Sequence, residues 1–149
     1  MTAKTNELIS LAPLNLEQLK VLLPEVWYGM KRTAVTTSNA EGYSVAEGNY
    51  KKDSNTNIKV MIYDCAGEAG ATAYTLTYWG AINAQQESEK DYTRTIDFKG
   101  GKAIEEFKKD VNAATLTYVS NGRLLIVLEA RNLEPSELKE AAQRLHFKL

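Results

Sequence analysis

Residues 116–130, with the sequence LTYVSNGRLLIVLEA, contain the clearest hairpin signal in the chain. The central Asn121-Gly122 pair readily adopts the positive φ angles that a tight primed turn demands. In the second strand, 124–128, every side chain is apolar, although successive side chains point to opposite faces of a sheet. A strand that is apolar on both faces is typical of the interior of a covered sheet. We therefore predict a β-hairpin whose second strand is central and buried on both sides.

Several other stretches alternate with the period of a strand. The cleanest is 58–63, in which Ile58, Val60 and Ile62 share one face while the residues between them share the other. Turn residues separate these stretches and favour hairpin connections between them. The remaining predicted strands are 32–37, 43–52 with a bulge at Gly48, and 92–99, and the predicted turns are 38–42, 53–57 and 100–101.

Three helices are predicted beside these strands. The first begins at Asn15, whose side chain caps the helix while Gln18 completes a capping box. A middle helix follows the strand 58–63, with Tyr74 and Tyr78 at helical spacing, although the same residues also fit a strand. The last helix begins with Pro135 at its first position. Together these elements predict an α+β fold, in which N-terminal, middle and C-terminal helices pack on a mostly antiparallel, curved sheet.

Length and composition limit the class of protein further. The 149 residues suit a single domain over 1–149, with 1–14 as a flexible N-terminal segment. The net charge is −1 and neither half of the chain is basic, so we expect no nucleic acid partner. The single cysteine and single histidine exclude an internal disulfide and the usual zinc sites. The longest apolar run, 124–128, is too short for a transmembrane segment.

The order of several segments resembles an uncharacterised family of bacterial exported proteins and lipoproteins. The resemblance rests on Leu22-Leu23-Pro24, on AEGNY at 46–50 and on IKVMIYDCAG at 58–67, and it continues through 92–101 and 122–127. It implies a location in the cell envelope or periplasm, with the cytoplasm as the alternative because the sequence shows neither a leader nor a lipobox cysteine. The expected outline is similar to the Mog1 and PsbP type, by analogy only. The motifs imply no catalytic residues.

The resemblance and the residue pattern disagree over 102–111. Ala103, Phe107 and Val111 are spaced as on the buried face of a helix, and the charged residues between them are good helix formers. The resemblance instead implies a strand over 102–109. Both alternatives stay open at the level of the sequence.

Aromatic residues are the one chemically suggestive group. Trp27, Tyr63, Tyr74, Tyr78 and Trp79 are expected to converge where the middle helix crosses the sheet, and to line a cleft for a ligand. No catalytic residue, metal ligand or cofactor is predicted. The turn 53–57 presents oxygens in the manner of a calcium loop, but the required glycine is replaced by Ile58.

Three functions are consistent with this pattern. The first is a non-catalytic domain of the cell envelope that binds a partner protein or a small ligand through the exposed side of its sheet. The second is a small hydrolase that uses carboxylates, among Glu41, Glu47 and Asp64, in a cleft near Asp64 and the middle aromatic residues. The third is a structural subunit that forms a homodimer through an edge strand.

Overall fold

The computed structural model describes residues 3–39, 42–83 and 85–149. In this part of the chain nine strands form one antiparallel sheet in the order β1-β2-β3-β4-β9-β8-β7-β6-β5. The strands are β1 Val26–Trp27, β2 Met30–Ser38, β3 Val45–Lys51, β4 Asn57–Asp64, β5 Gln86–Glu87, β6 Asp91–Phe98, β7 Gly101–Lys108, β8 Ala113–Ser120 and β9 Leu124–Arg131. The α-helices are α1 Ala3–Ser10, α2 Leu16–Lys20, α3 Gly67–Tyr74 and α4 Pro135–Gln143; a π-helix, Thr75–Trp79, continues α3, and a short 3₁₀ turn, Lys109–Val111, precedes β8. The predicted α+β class with an antiparallel sheet is confirmed.

The β8–β9 hairpin forms at the centre of the sheet, as predicted. Asn121 and Gly122 have φ angles of 56° and 68°, and the backbone N–H of Arg123 donates to the carbonyl of Ser120 at 3.2 Å. Strand β9 lies between β4 and β8, and Leu124, Leu125, Ile126 and Leu128 are all buried. Side chains on both faces of β9 are therefore apolar because the strand lies at the centre of the sheet.

One face of the sheet, termed the covered face, packs against α2 and α4. Trp27 extends this core, because its indole N–H donates to the carbonyl of Ala141 at 2.9 Å and its ring meets Tyr50 edge to face. The covered face is the larger core of the protein, and its fully buried members include Leu19, Tyr50, Ile58, Val60, Ile62, Leu116, Leu124, Ile126, Leu128 and Leu138.

The other face is covered at one end only. Helices α1 and α3 pack against each other there and bury a smaller cluster made of Leu8, Cys65, Ala71, Tyr74, Tyr78, Ile104 and Leu125. We term the remainder of this side the open face; it carries the outward residues of β3, β4, β9, β8 and β7, beyond the reach of the two helices. None of the helices in the described part of the chain is long and apolar enough to cross a membrane.

The predicted helices are present. Asn15 and Gln18 form both hydrogen bonds of the capping box, and Pro135 opens α4. The middle helix exists despite its threonines because Tyr74 and Tyr78 are buried against the sheet. At the N-terminus, where a flexible segment is predicted over 1–14, the structure instead has helix α1, whose Leu8 is fully buried.

The structure decides one open alternative and corrects one local expectation. The pattern of 102–111 favours a helix, but Gly101–Lys108 is strand β7, as the family resemblance implies. Pairing on both sides, with β6 and β8, overrides the helix propensity of these residues. The predicted bulge at Gly48 is also absent: the register shifts instead between Arg32 and Ala34, and Gly48 makes room for Leu23, whose side chain would lie 3.3 Å from an added Cβ.

Candidate functional site

The five aromatic residues predicted to line a cleft do not meet at one place. Trp27 is 4% exposed and belongs to the covered face, on the opposite side of the sheet from Tyr63, Tyr74 and Tyr78. Trp79 ends the π-helix and is 49% exposed. Trp27 is therefore a core residue, and the group that shares one side of the sheet contains the three tyrosines.

Tyr74 and Tyr78 attach the helical segment to the sheet. Their ring centroids are 5.6 Å apart, and the Tyr78 hydroxyl donates to the carbonyl of Lys102 at 2.7 Å. Burial raises the pKa of both hydroxyls above the ordinary tyrosine value. Because both rings are nearly inaccessible, these two tyrosines are packing residues of the smaller cluster and offer little surface to a ligand.

Of the five, Tyr63 lines the concavity described below. The concavity lies on the open face, borders the smaller cluster at Ile104, and has a volume of about 870 Å³. Strands β4, β9, β8 and β7 form its floor, while Thr77 of the π-helix, Ala81 and Gln86 stand at its rim. Its floor residues are Asn57, Lys59, Met61, Tyr63, Ile104, Glu106, Lys108, Ala113, Thr115, Thr117, Val127, Glu129 and Arg131.

The floor is organised in rows that run across the strands. In the middle row, cross-strand pairing sets Met61 beside Val127, Val127 beside Thr117, and Thr117 beside Ile104. All four side chains are uncharged and all line the concavity. An uncharged row therefore spans four neighbouring strands, with Ile104 and Thr117 buried and Met61 and Val127 partly exposed.

A charged row lies beside the uncharged one. Lys59 Nζ is 3.6 Å from a carboxylate oxygen of Glu47 and 3.7 Å from one of Glu129, and pairing continues the row through Thr115 to Glu106. These ion pairs are partly exposed, so each contributes at most about 1 kcal/mol to stability. The floor of the concavity thus combines an uncharged row with a neighbouring row that carries both signs of charge.

The sequence indicated part of this site. The alternation in 58–63 assigns Lys59, Met61 and Tyr63 to one partly covered face, and the structure places all three in the concavity. Sequence reasoning missed Thr115 and Thr117, although threonine at two alternate positions of β8 is a usable signal for one face of the strand.

Asp64, proposed with the middle aromatic residues as part of a catalytic cleft, lies outside the concavity. Adjacent strand residues point to opposite faces, so Asp64 points away from Tyr63, and its side chain is fully buried. One carboxylate oxygen accepts from the Leu14 N–H at 2.6 Å, and the other accepts from the Ala66 N–H at 3.1 Å. Arg123 binds both oxygens, at 3.1 and 3.0 Å, so every strong hydrogen-bonding direction of the carboxylate is engaged by the fold.

The other residues considered for chemistry have structural surroundings. Glu47 pairs with Lys59 at the edge of the charged row, and Glu41 lies outside the described residues. Asp53 accepts the backbone N–H groups of Asn55 and Thr56, both at 2.8 Å, which closes the predicted polar turn. Within residues 3–39, 42–83 and 85–149, no three acidic, histidine or cysteine side chains are grouped as a metal site would need.

Comparison of the chain with protein-family models, with curated proteins and with solved structures found no match.

Proposed function

We propose that this protein is a non-catalytic binding domain that holds a small ligand or a segment of a partner protein in the concavity of the open face. The observation that carries the proposal is the uncharged row Met61, Val127, Thr117 and Ile104 on the floor of a space of about 870 Å³. Ligand sites in proteins occupy roughly 300–1,000 Å³ and combine an apolar lining with a few polar groups.

The chemistry of the lining favours an occupant that is partly apolar. Met61 and Val127 offer apolar contact, and the unbranched thioether of methionine adapts to different shapes. The Thr115 hydroxyl, at the border of the charged row, can donate or accept a hydrogen bond. Thr77 adds a second hydroxyl from the π-helix, an irregular element found frequently at functional sites.

The Asp64 carboxylate is fully hydrogen-bonded within the fold, which is one reason to place binding ahead of hydrolysis. A catalytic acid or base must reach the proton it transfers, and a fully buried carboxylate with four donors around it cannot approach a substrate without local unfolding. The carboxylates that do line the concavity, Glu106 and Glu129, are exposed at its border.

We also propose a location in the cell envelope or periplasm, which rests on the family resemblance alone. Fractionation of cells that produce the protein from its native gene would test it. Recovery in the periplasmic or membrane-associated fraction is the expected result, and recovery with cytoplasmic markers would contradict the proposal.

Binding is tested by titrating the isotopically labelled protein with panels of small metabolites and short peptides, and by following its backbone amide resonances. We expect the shifted resonances to cluster on Met61, Thr115 and Val127. Thr115→Trp fills the floor of the concavity and should abolish the shifts. Ser54→Trp adds the same side chain to an exposed turn outside the concavity and should leave them unchanged.

Two outcomes would contradict the proposal. One is a set of shifts that clusters on the covered face or on α4 and persists in Thr115→Trp. The other is conversion of a panel compound to product by the wild-type protein, with the conversion lost in Glu106→Gln or Glu129→Gln; it would favour the hydrolase alternative.

A further inference from the structure

The outer side of strand β2 is an unprotected sheet edge. Strand β3 pairs with one side of β2 from Lys31 to Ser38. On the other side, β1 pairs only with Met30 and Lys31, so within the described residues Thr33–Ser38 have no neighbouring strand there. In such a segment the N–H and C=O groups of every second residue point outward, ready to pair with another strand.

The chemistry of this segment does nothing to prevent such pairing. Its sequence, TAVTTS, contains no charge, no proline and no glycine, and four of its six residues are β-branched. Proteins usually guard a free edge with charged side chains, proline, bulges or a covering segment. The single register shift lies between Arg32 and Ala34, at the start of the segment, and leaves 34–38 in regular pairing with β3.

The opposite edge of the same sheet is guarded. Strand β6 carries the charged residues Arg94 and Asp97, and β5 pairs with Tyr92 and Thr93. The hydroxyl of Thr95 also donates to the carbonyl of Ile82, which fixes the preceding chain against this edge. The lack of protection is therefore specific to β2.

We propose that β2 pairs with β2 of a second copy of this chain, antiparallel, to give a symmetric dimer with one continuous sheet. Charge favours the antiparallel arrangement: Lys31 and Arg32 stand at the start of β2, so a parallel pair would place four cations side by side, whereas an antiparallel pair separates them to opposite ends. The uncharged, β-branched segment between them pairs well with its own sequence.

Symmetry also fixes which faces become continuous. The two-fold axis that relates the two antiparallel edge strands is perpendicular to the sheet. Each residue of β2 therefore lies opposite a partner residue whose side chain is on the same face of the sheet. The covered face of one protomer then continues into that of its partner, where the half-buried Val35 meets its counterpart or its neighbour. Val26 of β1, at the end of this edge, is 65% exposed. The two open faces lie on the same side of the dimer.

Sedimentation equilibrium of the full chain over a range of concentrations tests the dimer. We expect a dimeric mass for the wild type. Thr36→Lys places two lysines near the two-fold axis, and it should raise the dissociation constant about tenfold or more, because like charges opposed across strands are unfavourable. Thr36 is exposed and lies beside Glu47, so the monomer accommodates lysine there. Gln86→Lys adds the same charge at the guarded edge and should leave the dimer intact.

A second measurement does not depend on how Thr36→Lys folds. Ala34→Cys, Val35→Cys, Thr36→Cys and Thr37→Cys are oxidised one at a time; at least one should give a covalent dimer, while Gln86→Cys should not. The native Cys65 is buried and does not interfere. A wild-type protein that stays monomeric, or a dimer that links through Gln86→Cys and through none of the four, overturns the inference. Neither result bears on ligand binding in the concavity.

Discussion

Arg123→Met is expected to lower the free energy of unfolding by about 3–5 kcal/mol, because it leaves a buried carboxylate without its cation. The Asp64 side chain is fully buried and that of Arg123 is 17% exposed. Without the guanidinium, Asp64 keeps the N–H groups of Leu14 and Ala66. These two donors place the loss nearer to the lower figure than to the upper one.

A third interaction of Arg123 disappears in the same variant. Its guanidinium donates to the carbonyl of Ala12 at 2.7 Å and so connects the segment before α2 to the β8–β9 turn. Arg123→Lys keeps the positive charge but lacks the planar fork that donates one N–H to each oxygen of Asp64. We therefore expect a smaller loss for Arg123→Lys, between the wild type and Arg123→Met.

Urea denaturation followed by circular dichroism measures these losses, provided that the dependence on urea keeps the wild-type slope. The matched control is Arg144→Met. Arg144 pairs with Glu140 at 3.2 Å, but the two side chains are 65% and 53% exposed, so its loss should stay below about 1 kcal/mol. A loss for Arg123→Met that is no larger than for Arg144→Met would refute the reasoning, and would reopen a chemical role for Asp64.

Three further predictions concern close packing and buried titratable groups. Gly70→Ala should cost about 1–3 kcal/mol in urea denaturation, because its Cβ would lie 2.6 Å from the carbonyl oxygen of Asp64; Gly101→Ala, with its nearest atom at 3.9 Å, should cost less, and equal losses would contradict this. Burial raises the pKa of Tyr50 to about 12, above its value of about 10 in the unfolded chain, so its contribution to stability is complete below pH 10 and is lost as the pH rises toward 12. Between pH 10 and pH 12 the free energy of unfolding should therefore fall by about 2–3 kcal/mol less in Tyr50→Phe than in the wild type. An identical pH dependence in the two proteins would contradict this prediction. Burial and the neighbouring carboxylate raise the pKa of the Cys65 thiol to about 12, so alkylation at about pH 8 should be slow in the native protein and fast in urea; equal rates in the two states would show that the thiol is accessible.

The parts of the fold that the sequence predicts well are those that local chemistry decides. Asn121-Gly122 forms its turn because few other pairs adopt two positive φ angles, and Asn15 with Gln18 caps α2 through neighbouring atoms alone. In both cases the interacting groups lie within four residues of each other. Distant pairing has no influence on the outcome.

The parts that the sequence left open or missed depend on partners far along the chain. Strand β7 has the composition of a helix, and only pairing with β6 and β8 decides its conformation. Helix α1 is fixed by α3, more than fifty residues later in the sequence. The concavity depends on β4 pairing with β9, which sets Lys59 against Glu129. A period of two assigns residues to a face, but it does not say which strands are neighbours.

On the side of the sheet opposite the covered face, the helices cover one end only, and this accounts for the position of the proposed site. Helices α1 and α3 bury Leu125 and Ile104, and the cover ends within the uncharged row, where Ile104 and Thr117 are buried and Met61 and Val127 stay partly exposed. If Met61 and Val127 only faced water, their apolar side chains would gain nothing there, whereas a ligand seated on them would complete their burial. If the β2 edges pair as proposed, two such rows face the same side of one sheet. An elongated occupant that contacted both would then bind more tightly to the dimer than to the monomer, because its second contact would be intramolecular.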